Sequence, residues 1–203
     1  MKLFKTDITK LSDEALMSRL IKSNDSIALA ELYQRYGKKL LGYFINMFKG
    51  DVALAEDFLQ DLFVKLMDKK HLFDTEKKFY TWVFTIASNM CKTHFTKMKL
   101  HYGEEEIIEG SKAFNECATN LHNEFDKQVF RLLLKEKIAG LNYEHKVVFV
   151  LRYHQTFSLK EIATITETNI GTVKSRLFYA TKQMAAELKE FDPKLESKLF
   201  KIN

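Results

Sequence analysis

The sequence predicts an all-α protein: two small helical domains joined by a flexible acidic linker, the second domain being a helix-turn-helix. Its 203 residues include one Pro and seven Gly, and 46% are hydrophobic, a composition that favours helices. Apolar residues recur every three or four positions in several long stretches. The net charge changes sign along the chain, from +5 in residues 1–100 to −6 in 101–126 and +6 in 127–203, which indicates a modular chain.

The sequence also excludes several classes of protein. No apolar run is long enough to cross a bilayer, and charges interrupt the N-terminus where an export signal would be apolar, so we expect a cytoplasmic protein. No Walker loop, dinucleotide-binding turn or activated nucleophile is present, so we expect no catalytic residue and no cofactor. The spacing of Cys91, His94, Cys117 and His122 is too loose for a structural zinc site, so we expect no metal.

The first two helices are predicted from their capping residues and apolar spacing. Ser12 and Asp13 are capping residues for a first helix with one apolar edge. A second helix starts near Ser26 and carries apolar residues around much of its circumference. Gly50 and Asp51 interrupt the pattern, so we expect the helix to end there.

A third helix is predicted from Val52, with a core stripe on one side and polar residues on the other. Apolar residues recur at helical spacing from Ala55 to Met67. The residues opposite this stripe are Glu56, Asp57, Gln60, Asp61 and Lys65. Periodicity alone indicates only a buried stripe and a solvated acidic face.

The fourth helix follows a polar loop, residues 74–78, and begins at Phe79. Its predicted buried face contains Phe79, Trp82, Val83, Ile86 and Met90. Residues 100–126 contain seven acids and no sustained apolar face, so we predict a linker there. Helices are then expected from Lys127 to near Gly140 and from Tyr143 to Tyr153, and residues 191–203 form a tail without an assigned role.

Residues 157–189 are typical of a helix-turn-helix. Ser158 and Glu161 have capping-box spacing, and Asn169 is a good N-cap for a second helix after a polar break. One face of that second helix is apolar, whereas the opposite face carries hydroxyl, basic and aromatic groups. Such geometry is suited to placing a helix N-terminus in the major groove, although a solvated surface helix has the same periodicity.

The motifs together resemble the extracytoplasmic-function (ECF) subfamily of the sigma-70-type RNA polymerase sigma factors. The resemblance rests on residues 158–163 and 171–177 in the second domain, and on residues 30–36 and 55–61 in the first. It covers almost the whole chain: residues 1–99 resemble sigma region 2, residues 127–190 resemble region 4, and the linker lies between them. Two departures are Asn142, where the family usually has Pro, and Tyr179, where many relatives have a basic residue.

The resemblance implies three sets of site residues. Contacts with the clamp coiled coil of core RNA polymerase would come from Asp57, Leu59, Gln60, Asp61 and Phe63. Reading and melting of the promoter −10 element, with one base flipped out of the stack, would involve Phe73, Lys77, Lys78, Tyr80, Asn89 and Lys92. Reading of the −35 element would involve Thr172, Lys174, Ser175, Arg176, Phe178, Tyr179 and Lys182.

The implied function is that of a transcription initiation factor that directs core polymerase to specific promoters. Family members are commonly sequestered by an anti-sigma partner, often tethered to a membrane, and we expect a monomer outside such complexes. The linker would thread through the polymerase cleft toward the RNA exit path. One alternative is a stand-alone helix-turn-helix repressor with a helical sensing domain, which would bind operator DNA as a dimer without polymerase. Another is a helical hydrolase with a DNA-binding appendage, for which the sequence offers no site.

Overall fold

The computed structural model describes residues 7–102 and 124–188. Within these ranges the chain forms eight α-helices and no strand, in agreement with the predicted all-α class. They are α1 (Asp13–Ser23), α2 (Ser26–Met47), α3 (Val52–Lys69), α4 (Phe79–Tyr102), α5 (Glu124–Gly140), α6 (Tyr143–Tyr153), α7 (Leu159–Ile165) and α8 (Ile170–Leu188). No described helix has the length and hydropathy needed to span a membrane.

We refer to helices α1–α4 as the N-terminal module and to α5–α8 as the C-terminal module. Helix α4 continues to Tyr102 and α5 begins at Glu124, so both extend a few residues into the predicted linker of residues 100–126. The central part of that linker and the tail of residues 191–203 lie outside the described residues.

Local capping fixes most of the helix starts, as the sequence predicts. The Ser12 hydroxyl accepts a hydrogen bond from the Ala15 amide, and the Asp51 carboxylate accepts one from the Leu54 amide. Just before Asp51, Gly50 has a φ of +91°, a conformation that side chains with a Cβ rarely adopt. This turn separates α2 from α3 and allows them to pack side by side.

Arg35 on α2 ties the start of the chain to the N-terminal module. Its guanidinium donates at 2.7 Å to the Asp13 and Glu31 carboxylates and at 2.8 Å to the carbonyls of Thr9 and Leu11. Hydrogen bonds from a charged group of this kind are stronger than neutral ones. They hold α1 against α2, and α1 in turn positions α4, because the Glu14 carboxylate accepts a hydrogen bond from the Phe79 amide.

The helix-turn-helix of the C-terminal module has the local chemistry that its sequence indicates. Ser158 and Glu161 form a reciprocal capping box at the start of α7. Glu167 adopts a φ of +53° in the turn, and the Asn169 side chain accepts a hydrogen bond from the Thr172 amide at 2.7 Å, capping α8. The turn therefore sets the angle between α7 and α8.

The two modules pack directly against each other, a feature that the sequence does not predict. Helix α4 lies against α6 and α7, and α2 lies against α5 and α6. The buried side chains on the two sides include Phe84 and Phe157, which are 0% and 1% exposed. Ser175 and Tyr179 remain on the outer face of α8, so the predicted DNA-reading surface is not packed inside.

Lys146 on α6 is a charged residue buried beside this contact. It is 3% exposed, its Nζ donates to the Ala139 carbonyl at 2.9 Å, and it lies 6.0 Å from the centre of the Phe95 ring on α4. Desolvation, with a smaller effect from the charge of Lys49, lowers the pKa of Lys146 to about 8. The folded protein therefore loses this proton at a pH where the unfolded chain still holds it.

This difference predicts that Lys146 makes folding more favourable as the pH rises. The unfolded lysine, with a pKa near 10.5, stays charged above pH 8, so raising the pH from 7.5 to 9 should reduce the penalty of burial by about 1 kcal/mol. Urea titrations of the protein and its Lys146→Met variant at both pH values should show this change only in the protein with lysine. Equal pH dependence in the two proteins would contradict the assignment.

Candidate nucleic-acid interface

The outer face of α8 presents a group of side chains that can enter a DNA groove. Lys174 and Ser175 are exposed one turn beyond the Asn169 cap. Phe178 and Tyr179 follow one turn later, 51% and 54% exposed. Two adjacent aromatic side chains so exposed form a contiguous patch, which favours a contact surface. The face therefore offers a cation, a hydroxyl and two aromatic rings in two turns.

Two residues at the start of α6 contact Arg176 and Tyr179 on α8, a role that the sequence analysis missed. Glu144 forms an ion pair with Arg176, and the His145 ring lies parallel to Tyr179 with centroids 6.1 Å apart. Desolvation, followed by the charge of Arg176, lowers the pKa of His145. The sequence feature that could have indicated this role is the cap at Asn142, which places Glu144 and His145 in the first turn of α6.

The other predicted DNA contacts on α8 differ in whether their side chains already have a partner within the protein. The Thr172 hydroxyl already contacts the Asn169 side chain at 3.1 Å, and Arg176 is held by Glu144. Lys182 is exposed two turns further along the helix. In this conformation Lys182 is better placed for a phosphate than Arg176, whose guanidinium must first leave its carboxylate.

A groove of about 340 Å³ lies between α3 and α4 on the N-terminal module. Its lining combines polar, basic and apolar side chains: Phe58, Asp61, Lys65, Lys69, Thr85, Ile86, Asn89, Met90, Thr93, His94 and Lys97. The groove is large enough for a nucleobase, and an amide such as Asn89 offers both a donor and an acceptor to a base edge. Asp61 and Asn89, predicted for different partners, thus share one groove.

The residues expected around the −10 element fall into two groups. Lys77, Lys78 and Lys92 are exposed, as a role on phosphates requires. Phe73 needs correction, because it is 6% exposed and packs against Phe79 and Trp82 with ring centroids 6.0 and 5.0 Å away. Its ring is part of the core that anchors the loop and is not accessible for stacking on a base.

Tyr80 is covered by the C-terminal module. Its ring is stacked on Phe157, with centroids 4.4 Å apart and planes 18° apart, and its hydroxyl donates to the Gln155 carbonyl at 3.1 Å. Burial, with a smaller effect from the charge of Glu161, raises the pKa of Tyr80 to about 12. The phenol therefore stays protonated and acts as a donor at neutral pH.

Two further candidates also have partners on the C-terminal module. Asn89 donates through Nδ2 to the Glu167 carboxylate at 3.2 Å. Lys78 lies 3.3 Å from the Glu161 carboxylate. Three of the six side chains expected at the −10 element, those of Lys78, Tyr80 and Asn89, are therefore in contact with α7 or the segments flanking it, about 80 positions away in the chain.

Most of the predicted polymerase contacts lie on the outer face of α3. Asp57, Gln60 and Asp61 are exposed, and Phe63 is partly buried against Tyr33 with ring centroids 4.9 Å apart. The expectation for Leu59 needs correction, because its side chain is 6% exposed and lies in the core. Tyr33, which is 48% exposed beside Phe63, is an apolar contact candidate that the sequence analysis missed.

No group of three potential metal ligands is present in residues 7–102 and 124–188. Within these ranges His94 packs among Phe48, Phe58 and Phe95, and desolvation lowers its pKa. Cys91 is fully buried, and Cys117 and His122 lie outside the described residues.

Two family models match the chain, in the order expected from the sequence. Sigma-70 region 2 matches residues 32–100, and Sigma-70, region 4 matches residues 131–184. Together the two matches cover more than half of the 203 residues. The first includes α3, the groove and all but the end of α4, and the second includes α7, the turn and all but the end of α8.

Curated relatives match over most of their own length. The ECF RNA polymerase sigma factor SigW of Bacillus subtilis is 28% identical over 176 residues, which cover 84% of this chain and 94% of the relative. The ECF RNA polymerase sigma-E factor of Haemophilus influenzae is 28% identical over 182 residues, which cover 86% of this chain and 94% of the relative.

Solved structures show the same fold. CnrH, in complex with the cytosolic domain of CnrY, matches with a TM-score of 0.64 and 19% identity over 87% of this chain and 97% of that chain. The sigma factor RpoE, in complex with the anti-sigma factor NepR from Bartonella quintana, matches with a TM-score of 0.60 and 21% identity over 78% of this chain and 97% of that chain.

The corrected position of Phe73 leads to a prediction about stability. Replacing Phe73 with Ala removes its contacts with Phe79 and Trp82 and should lower the free energy of unfolding by about 3 kcal/mol. Phe73→Leu, which retains most of the apolar volume, should cost less than half as much. Chemical denaturation followed by Trp82 fluorescence measures both. A Phe73→Ala protein as stable as the parent would show that the ring is not a core residue.

Proposed function

We propose a promoter-selecting function from one premise: the chain belongs to the ECF subfamily of the sigma-70-type RNA polymerase sigma factors. In this role it binds core RNA polymerase and directs it to specific promoters. The observation that carries the proposal is the presence of both sigma regions, in order, with the outer face of the helix-turn-helix exposed. The chain acts by binding and positioning, without catalysis of its own, and it works where polymerase works, in the cytoplasm.

The C-terminal module reads the −35 element through α8. Its N-terminal turns enter the major groove, where Lys174 and Ser175 reach base edges and Phe178 contacts apolar groups such as thymine methyls. Tyr179, supported by His145, borders the same face. Thr172, Lys182 and, once released from Glu144, Arg176 bind backbone phosphates and set the register without reading sequence.

The N-terminal module holds the −10 element single-stranded. A base extruded from the stack enters the groove between α3 and α4, where Asn89 forms hydrogen bonds to its edge. Tyr80, once released from Phe157, provides a stacking surface for a neighbouring base. Lys77, Lys78 and Lys92 hold the phosphates of the strand, a contribution that weakens as salt concentration rises.

The outer face of α3 binds the clamp coiled coil of core polymerase. Asp57 and Asp61 pair with basic residues, Gln60 adds a neutral hydrogen-bonding group, and Phe63 with Tyr33 provides an apolar patch. Exposed ion pairs contribute little affinity individually but orient the complex. Once polymerase holds both modules on one promoter, the two weak DNA contacts reinforce each other through their high effective concentration.

We also propose that an anti-sigma partner sequesters this chain. The support is the fold shared with CnrH and with the RpoE of Bartonella quintana, both of which are solved with a protein bound and the latter with an anti-sigma factor. Such a partner would act on the same surfaces that polymerase and promoter DNA require. Affinity purification of the tagged chain from its native cells, followed by identification of the proteins bound to it, tests this directly.

Charge reversal on α3 should weaken binding to core polymerase. Asp61→Lys places a cation opposite basic residues of the coiled coil, and we expect at least a tenfold loss of affinity because like charges at an interface repel. Glu187→Lys on α8 makes the same change in charge away from α3 and should have little effect. Fluorescence anisotropy of labelled chain titrated with core polymerase, without DNA, is the measurement. Equal affinities for the two variants would refute the assignment of α3.

Loss of the Asn89 amide should impair promoter melting without impairing polymerase binding. Asn89→Ala removes hydrogen bonds that form only when the base is extruded, so open complexes should decrease roughly tenfold or more. Permanganate reactivity of −10 thymines in the holoenzyme reports this step. Asn46→Ala, on α2 and away from the groove, is the matched control. Unchanged reactivity in the Asn89 variant would mean that the groove does not hold the base.

A further inference from the structure

The first turn of α6 lies beside the reading face of α8, by which we mean the exposed side chains of Lys174, Ser175, Phe178 and Tyr179. Helices α6 and α8 pack along each other, and buried residues such as Val147 on α6 and Leu177 on α8 fix their relative positions. The Asn142 side chain accepts a hydrogen bond from the His145 amide at 2.9 Å, which fixes the direction in which this turn begins. The side chains of Glu144 and His145 thus reach α8 from a rigid support.

Tyr179 is held on two sides by aromatic rings. Its ring lies parallel to that of His145, with planes 17° apart and centroids 6.1 Å apart. It meets the Phe178 ring edge-on, with planes 77° apart and centroids 5.5 Å apart. Tyr179 is still 54% exposed, so it remains available to a ligand. A side chain that is already oriented loses less conformational freedom on binding, so the His145 ring prepares Tyr179 for contact with a base pair.

His145 acts here as a neutral, flat support. Desolvation, followed by the charge of Arg176, lowers the pKa of His145, so the imidazole is uncharged at neutral pH. Its Nδ1 is buried and has no hydrogen-bond partner among the described residues. No bond at this nitrogen fixes the ring, and its orientation depends on packing. An uncharged ring adds no phosphate contact of its own, so its effect on DNA is exerted through Tyr179.

Arg176, three residues before Tyr179, is held toward α6 by its ion pair with Glu144. The Arg176 side chain is only 24% exposed, whereas Lys174 is exposed on the reading face. A guanidinium reads guanine well because it donates two parallel hydrogen bonds, to O6 and N7. While Glu144 holds this group, the base pair opposite Tyr179 meets a phenol instead of a guanidinium.

A tyrosine side chain offers a base pair a different set of contacts from those of an arginine. Its hydroxyl can donate one hydrogen bond and accept another, and its ring is apolar. An A·T pair presents an acceptor and a donor on adenine and an apolar methyl group on thymine, which match these properties. Guanine presents two acceptors, for which a single hydroxyl is a poor substitute for two donors. A tyrosine fixed at this position therefore favours A·T over G·C.

We propose that His145 is a positioning residue: it holds Tyr179 on the reading face in the orientation that selects an A·T base pair within the −35 element. The ion pair of Glu144 with Arg176 keeps the competing guanidinium away from that base pair. This inference rests on the proposed function, because it takes α8 as the helix that reads the −35 element. Asn142 and Tyr179, the two positions at which the sequence departs from the family, both contact His145, so they form one structural unit.

The test is an in vitro selection with the full-length chain bound to core polymerase. Holoenzymes made with the parent or with each variant bind a promoter library randomised in its −35 and −10 regions, and the recovered sequences give the base-pair preference at every position. His145→Leu keeps an apolar side chain but loses the flat ring, and His145→Phe restores a ring. His154→Ala, at the C-terminal end of α6, is the matched control. Tyr179→Leu identifies the base pair that Tyr179 faces.

The parent and the control should enrich A·T at the position that Tyr179→Leu identifies. His145→Leu should reduce this enrichment roughly threefold or more and leave the preferences at other positions unchanged, whereas His145→Phe should retain it. Tyr179→Arg should shift the preference toward G·C. Equal enrichment with His145→Leu and with the parent overturns the proposal. An equal loss of preference at every position also overturns it, because that is the effect of a merely structural residue.

The same selection separates this inference from the proposed function. A parent holoenzyme that selects no −35 sequence would refute the reading of this element by α8. A parent that selects one, with preferences that His145→Leu leaves unchanged, would refute only the positioning role of His145.

Discussion

The stack of Tyr80 on Phe157 is the contact on which the arrangement of the two modules depends. It continues an aromatic series that starts in the N-terminal core, since Phe84 touches both Tyr43 within that module and Phe157 across the interface. Aromatic pairs of this geometry contribute about 1 kcal/mol beyond the area that they bury. One helix, α4, thus serves at once as a wall of its own core and as a platform for the other module.

This double use of α4 explains why its two sides differ in chemistry. The side toward α2 and α3 is apolar, with Phe79, Val83 and Ala87 buried. The other side carries Tyr80 and Asn89, which bury part of their surface and still keep polar groups available for hydrogen bonds. A face made only of apolar groups would favour a permanent contact, whereas polar contacts can be exchanged for hydrogen bonds to water or to another partner at little net cost.

Local signals in the sequence predict the helices, and non-local contacts account for what they do not predict. Ser158, Asn169 and Gly50 act within a few residues, so their effects can be read directly from the chain. Leu59 lies within the periodic apolar stripe of α3, and that position already favoured burial over a polymerase contact. The pairing of Asn89 with Glu167 joins residues 78 positions apart, and helical periodicity identifies a face without identifying its neighbour.

The contact between the modules also divides the candidate residues into engaged and exposed ones. Tyr80 is stacked on Phe157 and Asn89 donates to Glu167, two residues that we propose for the −10 strand, whereas Asp57 and Asp61, which we propose for the polymerase clamp, are exposed. Because the two modules belong to one chain, contacts between them form at a high effective concentration. The proposed polymerase contacts are therefore available in this arrangement while Tyr80 and Asn89 already have partners.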